Sequence, residues 1–541
     1  MKHIELFKTG FDDTINEKRK YKNRWYVAHD IVSSEIVYTE LPNWITFTAE
    51  QPNSSVGLLK LSTNQTMWYS TDIITWNNMN TTNNITLTNV GDKLYVRGIL
   101  NGDNTIEDFT QFKMSGKISI SGNINAVWNY TNLDARLKEY CGRSMFSDCS
   151  SLINTPEFPA KILSTGCYRG MFARCKSLTS MPKLLAKFLA NECYSAMFKE
   201  CTSLTNVYEL PATTLTNDCY NSMFYGCTSL TTAPELPATI LTGWCYSNMF
   251  VNCTSLNTAP ELPATTLAEW CYHNMFYGCA SLVTPPELPA TKLAYYCYCQ
   301  MFGNCTRLTE APELSAMTLA EGCYYGMFVN CSSLTTAPDL PALILAKNCY
   351  HSMFYNCSGL ITSMEILPAT DLLETNWTLA GFGNGSSNYS DINDSRATCD
   401  APYQAMFAFC TSLTTAPILP AKQLSPGCYG AMFHSCKKLT KVIILAETLR
   451  VNISDENFNT VVELAKDYNG QVDRNWMELN AAVCWIDHTG NITTRKFYVP
   501  ESAINDWNSQ TTYFTHVFAD NMEIISQEEI DNIIERYNIV Y

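Results

Sequence analysis

Residues 219–244 read CYNSMFYGCTSLTTAPELPATILTGW, and this 26-residue unit recurs along most of the chain. The first cysteine of the unit falls at positions 141, 167, 193, 219, 245, 271, 297, 323 and 349, and a second cysteine follows each one eight residues later. Eleven copies are recognisable, the last with Cys428 and Cys436. A fixed period of this length is typical of stacked coils, in which each coil buries its apolar face against its neighbours.

The two halves of the unit have different patterns. From Leu215 the apolar residues recur at offsets of 4, 5, 8, 9 and 12, which predicts an amphipathic helix of about three turns. Residues 231–237 contain two prolines and cannot be helical. They predict a short extended stretch in which Pro234 and Leu236 face one side and Glu235 faces the other.

These elements predict an α/β solenoid, a curved array of about twelve 26-residue coils over residues 136–446. Short parallel strands are expected on its concave side and helices on its convex side. The curvature is expected because paired strands stack about 4.8 Å apart, whereas packed helices need roughly 8 to 10 Å. One weak copy is expected near residues 371–401, before the pattern resumes with Pro402, Tyr403 and Met406.

Three other regions flank the array. Residues 1–50 are expected to be an N-terminal anchoring segment, and residues 51–135 a β-rich domain whose last part caps the first coil. Residues 447–541 are expected to form a C-terminal α+β cap or assembly domain, with one helix at residues 527–537.

Composition limits the possible partners. Apolar residues make up 46% of the chain and charged residues 16%, which is typical of a chain that folds almost throughout. The net charge of −15 argues against nucleic acid or an anionic membrane as the main partner. No apolar stretch is long enough to span a membrane, and no secretion signal is seen at the start.

The chain has 24 cysteines, and 22 of them belong to the repeats or lie close to them. A chain that can stack a continuous core does not need disulfides to replace one. We therefore expect buried thiols. A spacing of eight residues between the two cysteines does not fit a zinc site, so no metal and no cofactor is expected.

The unit M-F-x-x-C-x-x-L-x-x-x-x-x-L-P-x-x-x-L resembles the BspA-like, or treponemal-type, leucine-rich repeat, whose units run A-F-x-x-C-x-x-L-x-x-I-x-L-P. The resemblance covers about residues 141–445. The present unit departs from it in the methionine before the phenylalanine, in the length of 26 residues and in the added Cys-Tyr pair. The resemblance implies adhesion and surface recognition without a shared catalytic site.

The first 50 residues carry a second, short resemblance. The opening MKHIELFKT, followed by residues 25–27 (WYV) and 36–38 (IVY), is similar to leader segments of structural proteins in phages of gut anaerobes. It implies a virion structural or attachment protein. Such a protein would bind a protein or glycan on a host cell surface, or neighbouring virion proteins, and a homo-oligomer is one option for it. The first alternative is a bacterial cell-surface adhesin.

No enzyme motif is present, so no catalytic residue is assigned. The second alternative, a glycan-active enzyme with a repeat appendage, would need paired carboxylates in the terminal regions. The one cluster of carboxylates there that is worth testing is Asp487, Glu501 and Asp506.

One row of residues is a candidate binding site. Acidic residues occupy the same position in six successive coils: Glu209, Glu235, Glu261, Glu287, Glu313 and Asp339. Glu157 precedes them, and Lys183 interrupts the row. Like charges about 5 Å apart repel, so the row is either only solvated, bound to cations, or paired with a basic partner.

The tyrosine after the first cysteine of each unit forms a second row, for which core or seam packing is expected rather than a glycan site. The histidines of the array, at positions 273, 351 and 434, are expected at outward-facing helix positions.

Overall fold

The computed structural model describes residues 42–370, 372, 402–422, 428–429, 432–447, 495–508 and 522–541, and the backbone of three strands within residues 18–40. The chain divides into two compact units. The first unit contains residues 1–214 and 226–230, and the second contains residues 215–225 and 231–541.

The first unit begins with three antiparallel sheets. The first sheet has the order β1-β2-β3, the second β11-β4-β9-β6-β7 and the third β10-β5-β8. The strands are β1 Lys18–Tyr21, β2 Arg24–Val32, β3 Glu35–Glu40, β4 Ile45–Ala49, β5 Ser54–Lys60, β6 Gln65–Ser70, β7 Asn77–Met79, β8 Asn84–Leu87, β9 Lys93–Leu100, β10 Gln111–Ser115 and β11 Ile118–Gly122. A one-turn helix, α1 Ala126–Asn129, follows them. The strands expected between residues 51 and 129 are therefore present.

Backbone hydrogen bonds continue from this β-region into the first coil. The amide of Phe112 donates to the carbonyl of Met145 at 2.8 Å. Parallel bridges join Ile118 to Leu152 and Asn123 to Glu157. The ring of Phe112 also stacks on that of Phe146, in the first coil, at 5.2 Å between centroids. Both the backbone ladder and the aromatic core of the coils thus begin in the β-region.

The helix predicted for each coil is wrong. In the second unit, residues 270–279 form a run of overlapping turns. This run and its counterparts in other coils are called the turn edge. Amides alternate between two partners: that of Met275 donates to the carbonyl of Tyr272 three residues back, and that of Phe276 donates to Met301 in the next coil at 2.9 Å. An α-helix would send both amides to carbonyls four residues back in the same coil.

A left-handed residue at every fourth position causes this conformation. Trp270, Asn274 and Gly278 have φ of 54°, 52° and 75°. Asparagine and glycine are enriched in this region of φ, which an α-helix cannot contain. The apolar offsets of 4, 5, 8, 9 and 12 fit a strict period of four as well as they fit a helix.

Because coils on the turn edge are joined directly by backbone hydrogen bonds, they are spaced like strands on that edge too. The reasoning that helices would separate the coils more widely on one side than on the other is therefore wrong for these coils.

The opposite side of each coil is the proline edge, residues 231–241 and their counterparts. Here the expected parallel strands shrink to single bridges, such as Thr232 with Thr258 and Thr266 with Lys292. Pro234 and Pro237 lie between such bridges and have no amide proton to donate to a ladder. Pairing on this edge is consequently sparse.

Rows of identical side chains fill the space between the two edges. In the second unit, Phe276 stacks on Phe250 at 5.7 Å, and Tyr272 stacks on Tyr298 at the same separation. The thiol of the second cysteine of a coil donates to the phenylalanine carbonyl of the preceding coil, as Cys279 does to Phe250 at 3.1 Å. All 22 cysteines among the described residues are buried thiols outside any disulfide, as expected. Burial raises the pKa of the Cys279 thiol, and it raises that of Cys305 to about 12.

The coil that begins at Cys349 is bonded directly to the coil that begins at Pro402. The amide of Tyr350 donates to the carbonyl of Pro402 at 3.0 Å, and the ring of Tyr350 stacks on that of Tyr403 at 5.7 Å. The weak copy expected at residues 371–401 lies almost wholly outside the described residues.

The second unit ends in a three-stranded parallel sheet of order β12-β13-β14, with β12 Lys441–Ile443, β13 Lys496–Val499 and β14 Met522–Ile524. Two helices follow strands of this sheet, α2 Glu501–Asn508 and α3 Gln527–Arg536. Helix α3 matches the one expected at residues 527–537. Its Ser526 cap accepts from the amide of Glu529, and Ile533 is buried against Leu445 and Ile525.

Arg495 terminates the ladder of thiol hydrogen bonds. Its side chain is buried and donates to the carbonyls of Phe433, Leu439 and Cys436. The carbonyl of Phe433 is equivalent to the phenylalanine carbonyls of earlier coils, which accept a hydrogen bond from the second cysteine of the next coil. A guanidinium thus replaces the missing thiol where the coils end.

Candidate functional site

The acidic row lies on the proline edge and faces solvent. Along one coil Pro234, Leu236 and Ala238 are buried, while Glu235 and Pro237 between them are exposed. This is the alternation expected from the sequence. Five members of the row belong to the second unit, where all of them are exposed: Glu235, Glu261, Glu287, Glu313 and Asp339. Glu209, also exposed, belongs to the first unit.

Backbone register brings the second-unit carboxylates side by side. The bridge between Thr232 and Thr258 places residues 26 apart opposite each other, so Glu235 and Glu261 occupy neighbouring places. At the usual spacing of paired strands, each carboxylate-bearing residue lies about 5 Å from the next.

Among the described residues, no basic side chain pairs with the second-unit part of the row. Within the described part of the chain, none of its five second-unit members forms an ion pair. In the first unit the exposed Lys183 occupies the same repeat position, and its Nζ lies 5.5 Å from the ring centroid of Tyr208. The negative charge of the row in the second unit is therefore available to a partner.

A shallow groove of about 430 Å³ opens on the row between two coils of the second unit. Glu287 and Glu313 line it, together with a further exposed carboxylate, that of Glu310. Prolines 285, 286, 289 and 312 line it as well. Since a proline has no amide proton to donate to the next coil, hydrogen bonding between the coils is sparse here and the gap stays open.

The tyrosine row is buried, as expected. Tyr168, Tyr220, Tyr272 and Tyr350 are among the largest fully buried side chains. The outward placement predicted for the histidines is wrong for His351, because it assumed a helix, whereas His273 and His434 are partly exposed. His351 is 8% exposed and stacks on Tyr325, and His273 packs against Trp270. Burial lowers the pKa of both histidines to about 4.

Sequence reasoning missed an aromatic row at the start of the turn edge. Trp244, Trp270 and Tyr296 occupy the position before the first cysteine, and their rings stack at 4.7 and 4.6 Å. The sequence did contain a signal for this row: three successive copies have an aromatic residue at this position, whereas the neighbouring copies have Asp218 and Gly322. Since the rings cover one another's faces, the row stiffens the coils and leaves little ring surface for a planar ligand.

The described residues include no group of three histidine, cysteine or carboxylate side chains that could hold a metal ion. They also include no helix with the length and apolarity needed to cross a bilayer. Of the carboxylates considered for catalysis, Glu501 is exposed at the start of α2, Asp487 lies outside the described residues, and the side chain of Asp506 is not described.

Comparisons with known proteins agree with the repeat pattern. The sequence matches a family model described as a BspA type leucine rich repeat region, six copies of it, over residues 128–231, 191–309 and 220–361. A crystal structure of a leucine-rich repeat protein from Bacteroides ovatus is 13% identical, with 71% of this chain and 87% of that one covered. Its TM-score is 0.28. No curated protein matches the chain.

Proposed function

We propose, from the premise that residues 128–361 are BspA-type leucine-rich repeats, that the chain is a non-enzymatic binding protein whose acidic row contacts a basic protein surface. Repeats of this type suggest protein–protein interaction or adhesion, and leucine-rich repeat proteins generally lack enzymatic activity. The observation that carries the proposal is the exposed run of five carboxylates on the second unit, for which the described part of the chain provides no basic partner.

The form of the row suits a macromolecule. Five coils at about 4.8 Å each give a line of charge roughly 20 Å long, which exceeds most small ligands. Lysine or arginine side chains at matching intervals would relieve the repulsion between the carboxylates, and their attraction would speed the encounter of the two proteins. The groove between Glu287 and Glu313 offers a place where one long basic side chain can lie.

A cell-surface location fits this function, because BspA-type repeat proteins are often associated with the cell surface. The virion location expected from the first 50 residues finds no support in the comparisons. Mass spectrometry of purified phage particles and of host envelopes distinguishes the two. Peptides of the chain found in envelopes and not in virions support the adhesin, and the reverse supports the virion protein.

Charge reversal tests the acidic row. The variant E235K/E261K/E287K is compared with E107K/E269K/E535K, which changes net charge equally through three exposed glutamates away from the row. Binding of a deca-lysine peptide is measured by calorimetry at low and high salt. We expect the row variant to bind at least about tenfold more weakly than the control variant, with a smaller salt dependence. Equal losses in both variants would show general charge attraction and remove the acidic row as the site.

A further inference from the structure

The outer face of the five-stranded sheet in the first unit carries partly exposed aromatic side chains around one arginine. Along β9 the side chains of Leu94 and Val96 are buried, while Tyr95 and Arg97 point to the other side and are partly exposed. Trp68 of β6 lies directly opposite Arg97 in the antiparallel pairing. We call this surface the aromatic face; its members are Trp44, Trp68, Trp76, Tyr95, Arg97 and Tyr130.

Aromatic rings hold the guanidinium of Arg97, whose side chain makes no polar contact with the described residues. Its guanidinium carbon lies 3.8 Å from the ring centroid of Trp76 and 4.3 Å from that of Tyr130. Among the described residues it has no ion-pair partner, and its Nε is buried without a hydrogen-bond acceptor. Its in-plane N–H groups form a rigid fork that matches a carboxylate. A cation without a counter-charge, in a chain of net charge −15, points to an anionic ligand.

A short, strained loop places Trp76 over Arg97. The carboxylate of Asp72 accepts hydrogen bonds from the amides of Ile74 and Thr75 at 2.9 and 2.7 Å. These bonds lower the pKa of Asp72 to about 2. Ile73 has a φ of 59°, which a β-branched residue rarely adopts. Backbone strain of this kind clusters at ligand-binding sites, because the surrounding structure must hold it in place.

The other rings of this face are not stacked on one another. Trp44 meets Trp76 at 6.2 Å with an angle of 51° between the rings, and Trp68 meets Tyr130 at 75°. Edge contacts of this kind leave ring faces uncovered. Exposed polar side chains, Thr66 of β6 and Asn78 of β7, share the same side of the sheet.

We propose that the aromatic face binds a carboxylate-bearing saccharide. The indoles of Trp44 and Trp68 stack on the C–H faces of sugar rings, Arg97 pairs with the carboxylate, and Thr66 and Asn78 hydrogen-bond to hydroxyls. Asp72 acts as a positioning residue, because it touches no ligand and holds the loop that carries Trp76. The site shares no residue with the acidic row, and it belongs to the first unit, whereas five of the six members of the row belong to the second.

Saccharide fits this surface better than the other anionic classes. A polyphosphate such as nucleic acid needs several clustered cations, and this face offers Arg97 together with the exposed Lys93 at the start of β9. An acidic peptide would lack the flat, apolar ring faces that match an indole. A uronic or sialic acid combines such a face, several hydroxyls and one carboxylate in each residue.

Calorimetry with the full chain tests the proposal. The probes are tetramers of galacturonic, mannuronic and sialic acid, with the methyl ester of the galacturonate tetramer as the uncharged match. We expect at least one acid to bind, and its binding to fall about tenfold or more in W68A and in R97K, which keeps the charge and loses the fork. If the galacturonate tetramer binds the wild-type chain, removing either charge partner should have a similar effect. The affinity of the methyl ester for the wild type should then be no higher than the affinity of galacturonate for R97K.

Two controls keep the test interpretable. W270F removes an indole in the coils of the second unit and should leave saccharide binding within about twofold. If circular dichroism shows that W68A does not fold, W68F is used in its place. W68F should weaken binding by less than the loss expected for W68A. The proposal is overturned if none of the three acids binds, if R97K binds as the wild type does, or if deca-glutamate competes as well as the saccharides.

Discussion

The two edges of a coil in the second unit differ in almost every physical respect. On the turn edge, amides such as those of Tyr272 and Phe276 are bonded to the next coil, and their rings are stacked and buried. On the proline edge, coils are joined by single bridges, and the carboxylates between the bridges are exposed. The backbone amides of the turn edge have partners in their own or the next coil, whereas the carboxylates of the proline edge face solvent.

This difference separates stability from recognition within one 26-residue unit. Side chains that stack on their own copies from coil to coil have little surface left to contact a ligand. A row of like charges gains nothing from its own repetition, so its favourable contacts must come from outside. We therefore expect substitutions on the turn edge to change folding and substitutions on the proline edge to change binding.

The largest loss of stability is expected from Phe276→Ala. The ring is fully buried and stacked on Phe250 and Phe302. Its removal should lower the free energy of unfolding by about 3–5 kcal/mol, from lost burial and the cavity left behind. Urea denaturation measures this. Phe276→Leu should lose clearly less; equal losses would mean that stacking, rather than volume, is what the site requires.

A smaller loss is expected where the turn edge ends. Arg495→Met leaves the carbonyls of Phe433, Leu439 and Cys436 without the donors they have now. Buried unsatisfied acceptors cost about 1–3 kcal/mol each, partly relieved by water, so a total of roughly 3 kcal/mol is expected. The matched control is Arg536→Met, whose side chain is 68% exposed and should matter by less than about 0.5 kcal/mol.

The left-handed positions should give the next effect. Gly278 has a φ of 75°, and a Cβ there would lie 2.2 Å from Oδ1 of Asn252, so Gly278→Ala should lose about 1–2 kcal/mol. Gly243 is the control, because its backbone is not left-handed and a Cβ there would lie 3.3 Å from the nearest atoms, which belong to the movable side chain of Glu269. Thermal unfolding is measured for Gly278→Ala and for Gly243→Ala. Equal midpoint temperatures would contradict the left-handed turns assigned to the turn edge.

The smallest effect is expected on the proline edge. Glu261→Gln removes one exposed charge from between two like charges, so stability should rise by a few tenths of a kcal/mol at low salt and not change at high salt. Urea denaturation at two salt concentrations measures this. A loss above about 1 kcal/mol would mean that the row supports the fold.

The repeat, its apolar rows, its buried thiols and the exposure of Glu235 could all be predicted from the sequence, because each depends on a residue type recurring every 26 residues. The turn edge could not be predicted from apolar spacing alone. A period of four fits Cys219, Met223 and Cys227 as a helix or as turns, and only Asp218, Ser222 and Gly226, all with positive φ, distinguish the two.

The aromatic face was not predicted for a different reason. Its members are scattered between Trp44 and Tyr130, and only the pairing of β6 with β9 brings Trp68 beside Arg97. No local period marks such a site. The acidic row could be named from the sequence, and its role as a contact surface stays a prediction.

Hydrogen exchange followed by mass spectrometry tests the division between the edges most directly, because it needs no substitution. Peptides covering residues 270–279 and 296–304 report on the turn edge, and those covering residues 259–266 and 285–291 report on the proline edge. The account predicts slow exchange in the first pair, near the rate set by unfolding of the unit, and fast exchange in the second pair. Equal protection of both pairs would contradict it.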